Sequence, residues 1–92
     1  MGYNAVVVSL RISGIRFVAY SNDHPPRHVH GFAGGTEAIV ELRFDETVAL
    51  ARRDDAVLPA NAKRSEVKKI LSAAALHFEE LVELWEEVRG KA

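Results

Sequence analysis

The sequence predicts an α+β fold: a small antiparallel sheet of two hairpins, three to five strands in all, covered on one face by one long C-terminal helix. Two observations predict it. Apolar residues recur with a period of two up to about Leu50, and with a period of 3.6 over about residues 62–89. Between these stretches the polar, proline-containing RRDDAVLPANAKRSE reads as a loop, centred on about residues 52–61. Ninety-two residues leave room for one core, so the chain is expected to be a single domain over 1–92 with strands from about residue 5 to 51.

The first hairpin turns on Ser13-Gly14, where glycine accepts the positive φ of a tight turn. Pairing outward from Ile12 opposite Ile15 puts Val8, Leu10, Ile12, Ile15, Phe17 and Ala19 on one wholly apolar face. A slip of one residue would send that set to water, so the register is well specified.

The second hairpin, HVHGFAGGTEAIVEL, turns on Gly34-Gly35. His28 then faces Glu41, His30 faces Ile39 and Phe32 faces Glu37, all on the side away from the core set Val29, Gly31, Ala38, Val40 and Leu42. A further short strand is expected in TVALA, residues 47–51. Asn61 is the expected N-cap of the helix. Val67, Leu71, Ala74, Phe78, Leu81, Trp85 and Val88 form its apolar stripe, with Ile70, His77 and Leu84 as a flanking row.

Twelve basic against 13 acidic residues give a net charge of −1, so nothing global draws the chain to nucleic acid or to an acidic membrane. No stretch approaches the length of an apolar membrane span, and AVVVSL lacks the flanks of a signal peptide. Met1-Gly2 does not open a myristoylation motif, because Val6 stands where Ser or Thr is needed. A cytoplasmic protein is expected. Without cysteine there is neither a disulfide framework nor a thiolate site, which leaves imidazole and carboxylate as the strong metal ligands.

That makes HPPRHVH, residues 24–30, the sequence's main chemical signal. His28 and His30 flank one residue of a strand, so their Cα atoms lie roughly 6–7 Å apart and both rings can meet one ion. Zinc wants three or four ligands; His24 could swing in from before the proline pair, and Glu41 lies across the ladder. The candidate site surface is therefore Asp23, His24, Arg27, His28, His30, Glu41 and His77, with His24, His28 and His30 as candidate ligands for zinc or another divalent transition ion. His77 joins only if the helix end reaches that face, whereas the helix is expected on the other. The same residues also fit a plainer arrangement, in which Asp23 and His24 make turn hydrogen bonds and His28 forms an exposed cross-strand pair with Glu41.

The helix carries Lys63, Arg64, Lys68 and Lys69 near its start, and Glu79, Glu80, Glu83, Glu86 and Glu87 near its end. On a single helix this opposes the macrodipole at both ends. It suits an antiparallel second copy or another protein partner.

RFVAYSNDHPPRHVH, EAIVEL and LHFEELVELWEEV together resemble the small bacterial proteins grouped as domain of unknown function four-one-six-zero, over about residues 10–88. The family pattern runs DH-x-PPHVHV, a glycine-containing turn, an E-A strand and a helix ending LH-x-EEL-x-x-x-W. Asp23, His24, Pro25, Pro26, His28, His30, Glu37, His77, Glu80, Leu81 and Trp85 fall on its positions, while Arg27 interrupts the step from the prolines to H-V-H. The resemblance implies a bacterial protein beside a second small gene, suspected as a toxin–antitoxin or regulatory pair. The leading expectation is thus a binding or regulatory module that uses the His-bearing sheet face, with a homodimer or the neighbouring gene's product as partner. The alternatives are a metal-dependent hydrolase or nuclease built on His28 and His30, and a structural homo-oligomer without a site.

Overall fold

Ser13 and Gly14 both take positive φ, 52° and 80°, the geometry that a two-residue turn needs to follow the twist of its strands. The turn joins β1 (Val7–Ile12) to β2 (Ile15–Tyr20), with Ile12 opposite Ile15 as the pattern predicts. This computed structural model describes residues 6–91, so the strand start at about residue 5 and the Met1-Gly2 terminus lie outside the described residues. The second hairpin pairs β3 (His28–Ala33) with β4 (Thr36–Leu42) in the expected register, His28 opposite Glu41 and His30 opposite Ile39. Gly34 sits at φ 57° in its turn, and a Cβ there would collide with the Glu66 carboxylate, which also accepts the Thr36 hydroxyl.

The sheet is antiparallel and larger than predicted. Its order is β1-β2-β3-β4-β5, where β5 (Val48–Leu50) is the short strand expected in TVALA. Thr47 approaches it through a turn in which its backbone N–H and hydroxyl both donate to Asp45 Oδ1, at 3.1 and 2.6 Å. The predicted loop contains a sixth strand, β6 (Val57–Leu58), which pairs with the other half of β4's outer edge. Residues 51 to 56 leave the sheet and return at a single point: Ala51 N–H donates to the Ile39 carbonyl, and Ile39 N–H donates to that of Ala56. A strand this short carries no periodicity, which is why the sequence reads as loop there.

One long helix was expected, and two are found. α1 (Arg64–Leu76) packs on β3, β4 and β5, whereas α2 (Phe78–Lys91) packs mainly on β1 and β2. His77 separates them at φ −115°, ψ 36°, although hydrogen bonds still cross it, from His77 N–H to Ala73 and from Leu81 N–H to His77. A straight rod cannot follow a twisted sheet across five strands, so the stripe changes direction where it passes from one hairpin to the other. The buried residues shift accordingly, from Ile70 and Ala74 on α1 to Leu81, Leu84, Trp85 and Val88 on α2. The N-cap is Lys63, with no side-chain cap, rather than Asn61. The first turn is instead fixed by Glu66 through its contact with Thr36.

Both helices cover the predicted apolar face. Ile12, Ile15, Phe17, Ala19, Val29, Val40 and Leu42 meet them in one core. Gly31 lies beneath α1, where an added Cβ would stand 2.5 Å from Ile70 Cγ2, so the helix rests on bare backbone. Among the described residues, no helix is long and apolar enough to cross a membrane.

Candidate metal centre

The register that places His28 and His30 on one face also buries them, at 7% and 9% exposure. The pairing of β2 with β3 covers Arg16 to Val18 and stops short of His28. Trp85 of α2 takes the place beside it, with ring centroids 5.4 Å apart, and Tyr20 meets the edge of His30 at 4.9 Å. His28 and Glu41 therefore do not form the exposed cross-strand pair of the plainer arrangement. They face each other across the ladder, but His28 is buried and turns to other partners, while Glu41 meets Arg43 Nε at 3.3 Å.

The hydrogen bonds fix which nitrogen of the His28 ring carries the proton. His28 Nδ1 lies 2.8 Å from the Pro26 carbonyl, which can only accept, so Nδ1–H donates and Nε2 carries the lone pair of the neutral ring. His30 has a carboxylate at each nitrogen, Glu37 Oε2 at 3.0 Å from Nδ1 and Asp23 Oδ2 at 3.1 Å from Nε2, and either nitrogen can donate. Both Nε2 atoms then face one oxygen, Asp23 Oδ2, at 3.3 Å from His28 and 3.1 Å from His30. The His28 contact is close enough for an ion pair but poorly aligned for a hydrogen bond, so this buried Nε2 has no hydrogen-bond partner. The His28 lone pair and the carboxylate repel at this range unless a positive charge lies between them. The three ligand atoms fall within 4.8 Å of one another, close enough to share one ion.

Asp23 rather than His24 stands third beside the two imidazoles. It sits on the turn after β2, where its N–H bonds to the Tyr20 carbonyl at 3.1 Å. From the far end of the chain, Arg89 donates Nη2 to the Asp23 carbonyl at 2.6 Å and stacks its guanidinium 3.6 Å from the Trp85 ring centroid. Pro25-Pro26 is a cis bond that carries the chain from Asp23 back to His28. His24 is exposed and lines the cleft beside the cluster with Asn22, Ile39, Glu41, Arg52 and Arg53.

The other candidates lie elsewhere. Arg27 ties the start of β3 to the end of β4 through the Leu42 and Arg43 carbonyls, and its guanidinium lies 4.4 Å from the Phe44 ring. His77 stands at the break between the helices, where its Nδ1 meets Glu80 Oε1 at 2.6 Å.

The candidate site surface left out Glu37, Trp85, Tyr20, Arg89 and the Pro26 carbonyl, although Pro26, Glu37 and Trp85 fall on positions of the family pattern. Glu37 was within reach of sequence reading: the residue opposite Phe32 is the diagonal neighbour of His30 on the same face. Arg89 is 66 residues from Asp23 and shares no pattern with it.

Fold and site together define an α+β protein with two histidines and one carboxylate converging beside an open cleft. The family model for a domain of unknown function, DUF4160, matches residues 14–86, and the chain belongs to that family. Among curated proteins and among solved structures, nothing matches the chain.

Proposed function

We propose that the chain is a metal-dependent hydrolase, with Asp23, His28 and His30 holding one divalent transition ion. One observation carries the reading: each imidazole has its Nδ1 against a fixed partner, the Pro26 carbonyl or the Glu37 carboxylate, and its Nε2 turned to the same Asp23 oxygen, with the three ligand atoms within 4.8 Å of one another. Histidine ligands of metals are oriented in this way, by a carbonyl or carboxylate on the far nitrogen. Two histidines and one carboxylate leave ligand positions open, as catalytic metal sites do and closed structural sites do not. In such a place the ion supplies a bound water acidic enough to act as a nucleophile near neutral pH. Glu41 lines the same cleft as Asp23 and His28 and would be the carboxylate available to take a proton from such a water.

Metal analysis of protein purified without a histidine tag tests the site. Near-stoichiometric zinc, cobalt or nickel is expected after loading, with a rise in melting temperature as the ion stabilises the folded state. The ion should be lost in His28→Ala, His30→Ala and Asp23→Ala, and kept in His77→Ala. A wild-type sample that takes up none of the three metals would remove the reading.

A second reading has its own support. Phe44 and Leu76 are 88% and 80% exposed, and Phe44 shares a shallow surface groove with Arg27, Phe78 and Val82. Exposed aromatic surface of this kind suits a protein partner, as a binding or regulatory member of a toxin–antitoxin-like pair would require.

A further inference from the structure

We propose that the cleft beside Asp23, His28 and His30 receives the phosphate group of a small phosphorylated molecule. The inference rests on the metal reading above and goes beyond it by naming the ligand.

The cleft encloses about 620 Å³, within the range of small-molecule sites. Its lining comes from Asp23, His24 and the proline pair and from the excursion between β5 and β6, which contributes Arg52 and Arg53. That excursion is stitched to the sheet on both sides at Ile39, one strand away from His30, so the two guanidiniums are carried by a loop anchored directly beside the ligand cluster. Arg52 is exposed and has no hydrogen-bond or ion-pair partner among the described residues. Arg53 holds Asp55 with two bonds, at 2.5 and 2.8 Å, and this contact keeps the Asp55 carboxyl below its ordinary pKa. Both members of the pair are about half exposed, and a pair so open to water is held weakly and can exchange for a better anion.

Charge then decides what enters. The carboxylates of Asp23 and Glu41 and the guanidiniums of Arg52 and Arg53 cancel along the cleft wall, so a bound dication leaves these lining groups two charges positive once Arg53 exchanges Asp55 for the incoming anion. A phosphate monoester matches that charge. It can offer one oxygen to an open position of the ion and two others to the fork of an arginine, which a planar carboxylate cannot do at once. A long polyanion is disfavoured, because Asp23 and Glu41 line the same cleft, Asp55 stands against Arg53 and the net charge of −1 provides no basic track. The ligand is therefore a small phosphate ester, and its binding is linked to the metal: each raises the affinity of the other by the same factor.

The test uses the full chain loaded with cobalt, whose visible absorption reports changes at the ion. Inorganic phosphate and phenyl phosphate should each perturb the spectrum, and phenyl phosphate should bind the metal-free protein far more weakly. The Arg52→Ala/Arg53→Ala variant should keep its cobalt affinity and lose about tenfold or more in phosphate affinity, as expected when charged hydrogen bonds are removed. Cobalt uptake without anion reports on the metal reading alone. If cobalt binds and neither phosphate perturbs it, if the double variant responds as wild type does, or if a single-stranded oligonucleotide displaces phenyl phosphate at lower concentration than inorganic phosphate does, the phosphate subsite is overturned while the metal site stands. If cobalt does not bind at all, both fall.

Discussion

A buried imidazole has few choices once one nitrogen is taken, and His28 shows the consequence. The Pro26 carbonyl takes its Nδ1–H, Trp85 closes one side, and the remaining nitrogen lies 3.3 Å from the Asp23 carboxylate without a hydrogen bond. A cation bound between them would relieve that contact. The sequence made half of this legible. Alternation along HVH put both rings on one face, and the lack of cysteine left imidazole and carboxylate as the available ligands. It could not choose Asp23 over His24, because the choice depends on how the chain turns between Tyr20 and His28, where no period applies. Nor could it supply Arg89, whose role is set by tertiary contact alone. Arg89 positions the Asp23 loop through the Asp23 backbone carbonyl and touches no ligand atom. Arg89→Ala should therefore weaken zinc binding by about 10-fold to 100-fold, the usual effect of losing an outer-shell support, while the bound stoichiometry stays the same. Competition against a chromogenic chelator would measure it. Zinc affinity equal to wild type would show that the loop holds Asp23 without the arginine.

The hairpins were readable because a two-residue turn and an alternating strand leave only one register that buries the apolar set. The helices were less so. The stripe runs through His77 without proline or glycine to mark a break, and the cause of the break lies in the twist of the sheet beneath, which belongs to no single segment. The fit between α1 and β3 turns on Gly31, since Ile70 Cγ2 and Phe17 Cε1 fill the space its side chain would need, at 2.5 and 3.0 Å. Neither atom can swing away, because one is on a β-branched carbon and the other on a fully buried ring. Gly31→Ala should cost about 1–3 kcal/mol by overpacking. Replacing Ile70 with Leu moves the branch away from the clash, so Gly31→Ala with Ile70→Leu should be more stable than the sum of the two single changes predicts. Urea denaturation of the four proteins would give the coupling. Strict additivity would show that α1 does not sit on Gly31 as closely as described.

At the scale of the molecule, the broad class follows from the order of periods, strands first and helix after, and only the count of elements was short. The second helix also changes how the charges read. Glu79 and Glu80 now fall in the first turn of α2, where a carboxylate is favoured by the dipole, so part of the conflict expected of a single helix disappears. What remains is segregation: Arg64, Lys68 and Lys69 lie on α1 with no basic residue in its last turn, and Glu83, Glu86 and Glu87 lie on α2. A second copy turned about a two-fold axis would lay the basic helix of each chain along the acidic helix of the other, bringing Lys68 and Lys69 toward the partner's acidic helix. Burying Phe44 and Leu76, or either one, at such a contact would add apolar area to an otherwise polar interface. Exposed ion pairs are screened by salt, with a Debye length falling from about 30 Å at 0.01 M to about 3 Å at 1 M, so a dimer held in this way should dissociate as ionic strength rises. Charge reversal separates this from simple stickiness: Lys68→Glu with Lys69→Glu should abolish self-association at low salt, while leaving the monomer's melting temperature close to wild type because both side chains are exposed. Sedimentation velocity at low and high salt decides it, and a wild-type monomer at low salt would leave the two charged helices as solvated surfaces.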